Sequence, residues 1–250
     1  AITGIMQEPM EAAGHHALWV LIYTSAIMTV LRFYAGPIVH KLSPLGLLAT
    51  CAALAVLGLY WLSSASGMFV IFAAATLYGI GKTFFWPTTL GVVSEQCPKG
   101  GALTLNAIAG IGMLTVGIVG GPLIGAIQED YAKVALNEKK AGVYEKISKG
   151  DSYFLGEYTA VDDDKLASLT IDENATAAAD ANGTTPIFTA TEAKEIKEII
   201  KEGKQGALAK VALFPLFMLV CYIGLIMHFN SKGGYKPVDI SADDSDGDDS

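Results

Sequence analysis

One lysine, Lys82, lies within a long apolar stretch and is the residue best placed to do chemistry. A lysine at the centre of a bilayer costs at least about 2.5 kcal/mol, so we expect it to face a cavity or a charged partner. Helical spacing would place Tyr78, Phe85, Trp86 and Thr89 on the same face. This pattern predicts an aromatic, singly cationic wall, suited to a carboxylate, to a sugar ring stacked on Trp86 or to a coupling acid. The structural alternative is that Lys82 pairs with one buried acid and only holds helices together.

A second candidate group surrounds Gly36, at the end of the first apolar stretch. Arg32, the only arginine of the chain, lies about one helical turn before Gly36, and His40 and Lys41 follow it. Gly36 allows two helix ends to approach closely, and basic groups near helix C-termini interact favourably with carbonyl dipoles. Such contacts can latch one conformational state. The alternative is that Arg32 and Lys41 anchor the helix at an anionic membrane surface.

Two further sets of residues are candidates for packing and for lining a cavity. Small residues four positions apart, such as Gly117, Gly121 and Gly125, let helix backbones pack closely, and Pro122 adds a pliable point. We interpret this stretch as a helix-packing seam. Thr29 could line a cavity, although Ser and Thr in membrane helices also bond to their own backbone.

The elements that carry these residues are apolar helices. The chain of 250 residues is 52% hydrophobic and 17% charged, and its charges are segregated, which excludes a single soluble domain. Five windows are long enough to cross about 30 Å of hydrocarbon. They cover residues 16–37, 45–63, 68–93, 103–127 and 207–229. The second and the last hold few polar residues and are expected to face lipid.

Charge in the short loops sets the predicted orientation. Basic residues lie between the first and second windows and between the third and fourth, so these two loops are expected on the cytoplasmic side. Alternation then places residues 128–206 outside and the acidic tail, residues 230–250, inside. Within the outer loop, Thr189 and Glu192 have capping-box spacing and precede apolar residues at helical spacing. They predict an amphipathic helix near residues 190–202.

Two of these stretches resemble motifs of the major facilitator superfamily. The segment from Arg32 to Lys41 is similar to the signature loop between helices eight and nine, in which a Gly is followed by three residues, an Asp and a basic residue. Gly36 and Lys41 fit this pattern, while His40 stands where the acid is expected. The segment from Gly117 to Gly125 resembles the Gly-x-x-x-Gly-Pro-x-x-Gly motif of helices five and eleven.

The resemblance implies an all-α membrane protein of twelve helices. Residues 1–127 would hold the end of helix seven and helices eight to eleven, and residues 207–229 would form helix twelve. The sequence would then begin partway through its gene product, and the N-terminal half would be a partner of this one. Residues 128–206 would form a large extracytoplasmic loop before the last helix.

The implied function is secondary transport of a small polar solute, such as a sugar, sugar acid or nucleoside, by alternating access. Lys82, Tyr78, Phe85, Trp86 and Thr29 would face the solute. We expect a multi-pass protein of the plasma (inner) membrane, surrounded by lipid, with no metal, no nucleic-acid partner and no cofactor beyond a coupling H⁺ or Na⁺. No catalytic constellation is present, so an enzyme is not expected. The alternative is a sensor or scaffold that does not transport and acts through its outer loop.

Overall fold

The apolar stretches form helices, and the insert between the last two forms short helices and strands. A computed structural model describes residues 18–34, 42–153, 156–171 and 187–238. Its α-helices are α1 Leu18–Phe33, α2 Pro44–Ser63, α3 Met68–Thr83, α4 Phe85–Gln96, α5 Gly101–Thr115, α6 Gly121–Lys139, α7 Val143–Ile147, α8 Asp163–Ser168, α9 Ala190–Val211 and α10 Leu213–Ser231. A 3₁₀ turn, Pro98–Gly100, precedes α5, and a π-helical turn, Val116–Gly120, joins α5 to α6. The strands are β1 Ser148–Tyr153, β2 Gly156–Val161, β3 Thr170–Ile171 and β4 Phe188–Thr189.

Four helical stretches are long and apolar enough to cross a membrane, judged by length and composition. They are Pro44–Ser63, Phe69–Gln96, Pro98–Lys139 and Ala190–Ser231. A shorter apolar helix, Ile22–Phe33, lies in the first predicted window. The chain is therefore mostly helical and has the helices that a multi-pass membrane protein needs.

The chain divides into two compact units. The membrane unit consists of Ala1–Leu114 and Ala212–Ser250, and the insert unit is Thr115–Val211. The insert unit thus begins and ends in helical residues and includes the small-residue segment predicted as a packing seam. This boundary differs from the predicted loop 128–206, because the unit includes the whole of α6 and α9.

In the membrane unit, α2 packs against three other described helices. The Ser43 hydroxyl accepts a hydrogen bond from the Gly46 N–H at 3.2 Å, and Pro44 occupies the first turn, so α2 begins with a regular N-cap. Its other end turns into α3 through Gly67, whose φ of 83° suits a glycine. α2 packs against α3, α4 and α10. About half of its apolar window is buried, so the expectation that this helix faces lipid applies only to the other half of its surface.

The long third window is interrupted at Phe84, between α3 and α4. Pro87 has no N–H to donate to the Thr83 carbonyl, and its ring crowds that carbonyl, so a regular helix cannot pass through this point. The helix α3 ends at Thr83, whose hydroxyl donates to the Gly79 carbonyl at 2.7 Å. The next helix, α4, begins at Phe85. The side chains of α3 and α4 therefore do not follow one helical repeat.

The insert unit has its own hydrophobic core, built where α6 and α9 pack against each other. The core residues are Ala132, Leu136, Tyr144, Ile147, Leu166, Leu169, Phe188, Ile196, Ile199 and Ile200. β1 and β2 form an antiparallel hairpin, and β3 pairs with β4 in parallel. The insert unit is thus mixed α and β, which departs from the all-α fold expected for the whole chain.

The capping box at the start of α9 is confirmed. The Thr189 hydroxyl accepts from the Glu192 N–H at 3.2 Å, and the Glu192 carboxylate accepts from the Thr189 N–H at 2.9 Å. The helix then runs to Val211, past the predicted end near residue 202. It continues because Gly203 packs against α6 instead of ending the helix.

Candidate functional site

Lys82 and Tyr78 lie side by side on α3. They are one turn apart, and the Lys82 Nζ lies 5.4 Å from the centre of the Tyr78 ring, within range of a cation–π contact. Both side chains are half-buried. Among the residues that the structure describes, no acidic side chain forms an ion pair with Lys82. The structural alternative requires a buried acid beside Lys82, and the described residues contain no such acid in an ion pair with it.

The two aromatic residues that begin α4 lie in different surroundings. Phe85 packs against a buried cluster of Leu47, Cys51 and Phe84, on the side of α2. Trp86 is 40% exposed, and its ring lies over Gly112 of α5, where a Cβ would come within 3.0 Å of it. Consecutive residues of an α-helix lie about 100° apart around its axis, which accounts for this separation. The structure brings Lys82 together with Tyr78 and places Phe85 in the packed interior.

Two polar residues of α1, Thr29 and Tyr23, make different kinds of contact. The Thr29 hydroxyl donates to the Ser25 carbonyl at 2.8 Å, so it bonds to its own helix, as the alternative for that residue describes. Tyr23 instead reaches α3, where its hydroxyl lies 3.1 Å from that of Thr76 and its ring meets Phe72 edge-on at 5.6 Å. Tyr23 therefore fixes α1 against α3.

The predicted gate is described only in part. Arg32 lies in the last turn of α1 and is exposed, where its charge interacts favourably with the helix C-terminus. Gly36, His40 and Lys41 lie outside the described residues. Their role as a conformational gate stays a prediction.

The glycines of the small-residue segment make no close helix-to-helix contact among the residues that the structure describes. A Cβ on Gly117 would meet no atom within 4 Å, and one on Gly121 would meet only the Val116 carbonyl of its own helix. Pro122 directly follows the π-helical turn Val116–Gly120 within the continuous helical stretch Pro98–Lys139, and it has no N–H to donate to a carbonyl of the preceding turn. Gly125 faces the Tyr158 hydroxyl of the β-hairpin, 4.0 Å from a built Cβ.

The close glycine contacts occur elsewhere. A Cβ on Gly58 of α2 would lie 2.6 Å from the Tyr78 backbone nitrogen, and one on Gly81 of α3 would lie 2.7 Å from the Ala55 backbone nitrogen. These two glycines allow α2 and α3 to touch backbone to backbone, directly behind Tyr78. The sequence analysis did not predict this seam, because glycines in two helices do not by themselves show that the helices face each other.

The segment after α10 folds back onto the end of α4. The Tyr235 hydroxyl donates to the Glu95 carboxylate at 2.6 Å, the Val238 N–H donates to the Glu95 carbonyl at 2.9 Å, and the Gln96 amide donates to the Lys236 carbonyl at 2.9 Å. Burial, followed by the bond to Glu95, raises the pKa of Tyr235 to about 12. This contact was not predicted, because its only local trace is one tyrosine and two basic residues in an otherwise acidic tail.

No group of three or more His, Cys, Asp or Glu side chains that could hold a metal occurs within the described ranges. Comparisons of the chain with protein-family models, with curated proteins and with solved structures found no match. The arguments for function therefore come from the residues of this chain.

Proposed function

We propose that this chain serves in a secondary transporter that moves a small polar solute across a membrane by alternating access. The observation that carries the proposal is the half-buried Lys82 beside Tyr78, in the middle of a helical stretch long and apolar enough to span a membrane. A lysine at that depth is costly unless it faces water, a ligand or a partner charge. A solute carboxylate or a coupling acid would supply that charge.

The break at Phe84 supports the same proposal. It lies two residues after Lys82, and interrupted helices near the bilayer centre are a recurrent feature of transporter binding sites. Tyr78 supplies an aromatic ring beside the ammonium group, and the glycine contacts behind it hold α2 and α3 at a fixed spacing. Lys82 and Tyr78 are the residues proposed to contact the solute.

Solute uptake by the full-length protein in lipid vesicles tests this role. The vesicles are screened with labelled sugars, sugar acids and nucleosides. We expect Lys82→Ala to lower the initial uptake rate more than about tenfold, since truncating one partner of a buried charged contact costs about 2–5 kcal/mol. Lys82→Arg keeps the charge and should retain part of the rate. Tyr78→Phe keeps the ring and should have the smallest effect of the three.

Lys232→Ala is the matched control, because Lys232 is an exposed lysine just beyond α10. It should leave uptake unchanged. Equal uptake by the wild type and Lys82→Ala, with the same thermal unfolding midpoint, would overturn the role of Lys82. Absence of any uptake or counterflow of the screened solutes would count against transport itself.

A second candidate function is a membrane sensor or scaffold that acts through the insert unit. The observation that favours it is the separate hydrophobic core of Thr115–Val211, which a simple connecting loop would not need. Solute counterflow distinguishes the two functions, because a sensor that does not transport shows none. Deletion of residues 140–189 from the full-length protein gives the complementary result. A transporter should keep its solute counterflow after this deletion, whereas a sensor or scaffold should lose the binding of its ligand or partner protein.

A further inference from the structure

The insert unit contains an open cavity of ≈ 690 Å³ between α6 and the β1–β2 hairpin. Its size lies within the range of about 300–1,000 Å³ that is typical of small-molecule sites. Its wall carries both signs of charge, from Asp130 and Lys133 on α6 and from Glu157 on β2. A cavity of this size with charges of both signs is suited to a ligand that also carries both.

The hairpin supplies one wall of the cavity. In its register Ser152 pairs with Glu157 and Gly150 pairs with Thr159, so these four residues share one face. All four line the cavity. Gly150 leaves space there, since a Cβ built on it meets no atom within 4 Å. The hairpin thus presents hydroxyl groups and one carboxylate to the cavity, with open room at Gly150.

Tyr144 forms the buried floor. Its hydroxyl donates to the Thr159 carbonyl at 2.7 Å, which ties the short helix α7 to β2. The Lys133 Nζ lies over the Tyr144 ring, 5.7 Å from its centre. This contact positions the ammonium group against the floor. Burial raises the pKa of Tyr144, and the charges of Glu129 and Asp130 raise it further, so the phenol stays neutral at physiological pH.

The charged side chains that line the cavity, Asp130, Lys133 and Glu157, form no ion pairs with one another. Within the described residues, the ion pairs of the insert unit join Lys139 to Glu202, Lys140 to Glu195 and Lys204 to Glu129. Asp130, Lys133 and Glu157 belong to none of them. The lysine also makes the cavity a poor site for a divalent metal ion, whose charge it would repel.

We propose that this cavity binds a small zwitterion of amino-acid or dipeptide type, with its ammonium group held by Asp130 and Glu157 and its carboxylate by Lys133. Tyr158 and the hairpin hydroxyls complete the polar contacts. The site is independent of the proposed transport role of Lys82, because every residue that lines it belongs to the insert unit. A failure of Lys82→Ala to change uptake would leave this site unaffected.

The test uses the full-length chain in lipid nanodiscs and saturation-transfer NMR, which detects weak ligands in fast exchange. The probes are a pool of the proteinogenic amino acids and a pool of dipeptides. We expect signals from at least one compound. Its N-acetylated and its C-terminally amidated forms should each bind at least tenfold more weakly, because each lacks one of the two charges.

Three variants of the cavity test its location. Gly150→Leu adds a side chain where a built Cβ meets no atom within 4 Å, and it should abolish the signal, while Lys133→Ala and Glu157→Gln should each weaken binding at least tenfold. Lys146→Ala and Glu145→Gln are matched controls, because both residues are exposed on α7 and do not line the cavity. The controls should bind as the wild type does.

Several results would overturn the proposal. One is the absence of signal from both pools with the wild type. Another is equal binding of the capped and uncapped forms, and a third is an unchanged signal from Gly150→Leu. Far-ultraviolet circular dichroism of each variant separates loss of binding from loss of structure. If Gly150→Leu fails to fold, the two charge variants still decide the result.

Discussion

The two units of this chain hold their helices together in different ways. In the membrane unit, α2 and α3 meet through Gly58 and Gly81, with backbone atoms in direct contact. In the insert unit, α6 and α9 also meet through a glycine, since a Cβ on Gly203 would lie 2.8 Å from the Ala132 Cα. There, however, ion pairs line the contact, from Lys204 with Glu129 to Lys139 with Glu202.

The difference follows from the solvent that each helix pair is expected to meet. Lipid tails are as apolar as leucine, so helices in a membrane associate mainly through close van der Waals packing, and glycine allows the closest approach. In water, burial of apolar surface drives association, and charged residues can flank the seam at little cost. We therefore expect a side chain added at a glycine contact to lower stability most in the membrane unit.

The largest expected effect comes from Gly58→Leu. The new side chain would meet the backbone of Tyr78 at under 3.0 Å, and a helix backbone cannot move aside as a flexible side chain can. Overpacking of this kind costs about 1–3 kcal/mol and occasionally more. We expect the upper end of that range or complete loss of the folded protein, measured by thermal unfolding in detergent micelles.

Gly224→Leu is the matched control for this change. Gly224 lies in α10, is exposed, and has no atom within 4 Å of a built Cβ. Its substitution should leave the unfolding midpoint unchanged or raise it, because leucine has the better helix propensity. If the two variants unfold alike, the close contact between α2 and α3 is not what holds the membrane unit together.

The next effect is that of Glu129→Ala in the insert unit. The buried Glu129 carboxylate accepts the Val161 N–H at 3.0 Å and pairs with Lys204, so it joins α6, β2 and α9. Its removal leaves a donor and an ammonium group without their partner, at a cost of about 1–3 kcal/mol. Chemical denaturation of the full-length chain, followed by circular dichroism, measures this cost.

Lys139→Ala serves as the comparison, since the Lys139–Glu202 pair is exposed on both sides and exposed ion pairs contribute little to stability. If Glu129→Ala lowers the free energy of unfolding no more than Lys139→Ala does, burial adds nothing to the Glu129–Lys204 pair. The insert unit would then depend on its apolar core alone.

A smaller effect is expected at the N-terminus of α9. Thr189→Ala removes the hydroxyl that accepts the Glu192 N–H, at a cost of about 1 kcal/mol. Thr189→Ser keeps the hydroxyl and should restore most of that stability. Amide hydrogen exchange in the first turn of α9 would show the change directly, and equal exchange in Thr189→Ala and the wild type would contradict it.

Local signals explain what could be predicted from the sequence. The capping box needs only two residues three positions apart, and the bounds of α2, predicted as residues 45–63, follow from Pro44 and the small-residue turn after Ser63. The depth of Lys82 in its apolar stretch is also a local property. Each of these depends on neighbours in the chain and on nothing across the fold.

What could not be predicted depends on contacts between distant residues. Hydropathy treats lipid and a neighbouring apolar helix as the same environment, so the burial of α2 could not be deduced from its composition. The proposed wall placed Phe85 beside Lys82 from helical spacing alone, whereas Phe85 packs against Leu47 and Cys51 of α2. The strand Ser148–Tyr153 has no apolar alternation, so its hairpin, and the cavity it lines, gave no pattern to recognise.

The last prediction concerns how stability depends on pH. It applies to the segment Tyr235–Val238, which is held against α4 by hydrogen bonds and not by glycine packing. The pKa of Tyr235 is raised from 10.0 to about 12, so the folded chain holds this proton more tightly than the unfolded chain does. Stability from this group is therefore complete below about pH 10 and declines as the pH rises from 10 toward 12. The phenolate then faces the Glu95 carboxylate, and their repulsion releases the segment Tyr235–Val238 from α4.

Difference absorbance of tyrosinate between the wild type and Tyr235→Phe measures this titration. The difference curve should have its midpoint well above pH 10. Glu95→Gln removes the charge but keeps an acceptor, so it should lower the midpoint. A midpoint at the ordinary tyrosine pKa in the wild type would mean that the segment Tyr235–Val238 is not held against α4. The glycine contacts between α2 and α3 would then be the main contacts that stabilise the membrane unit.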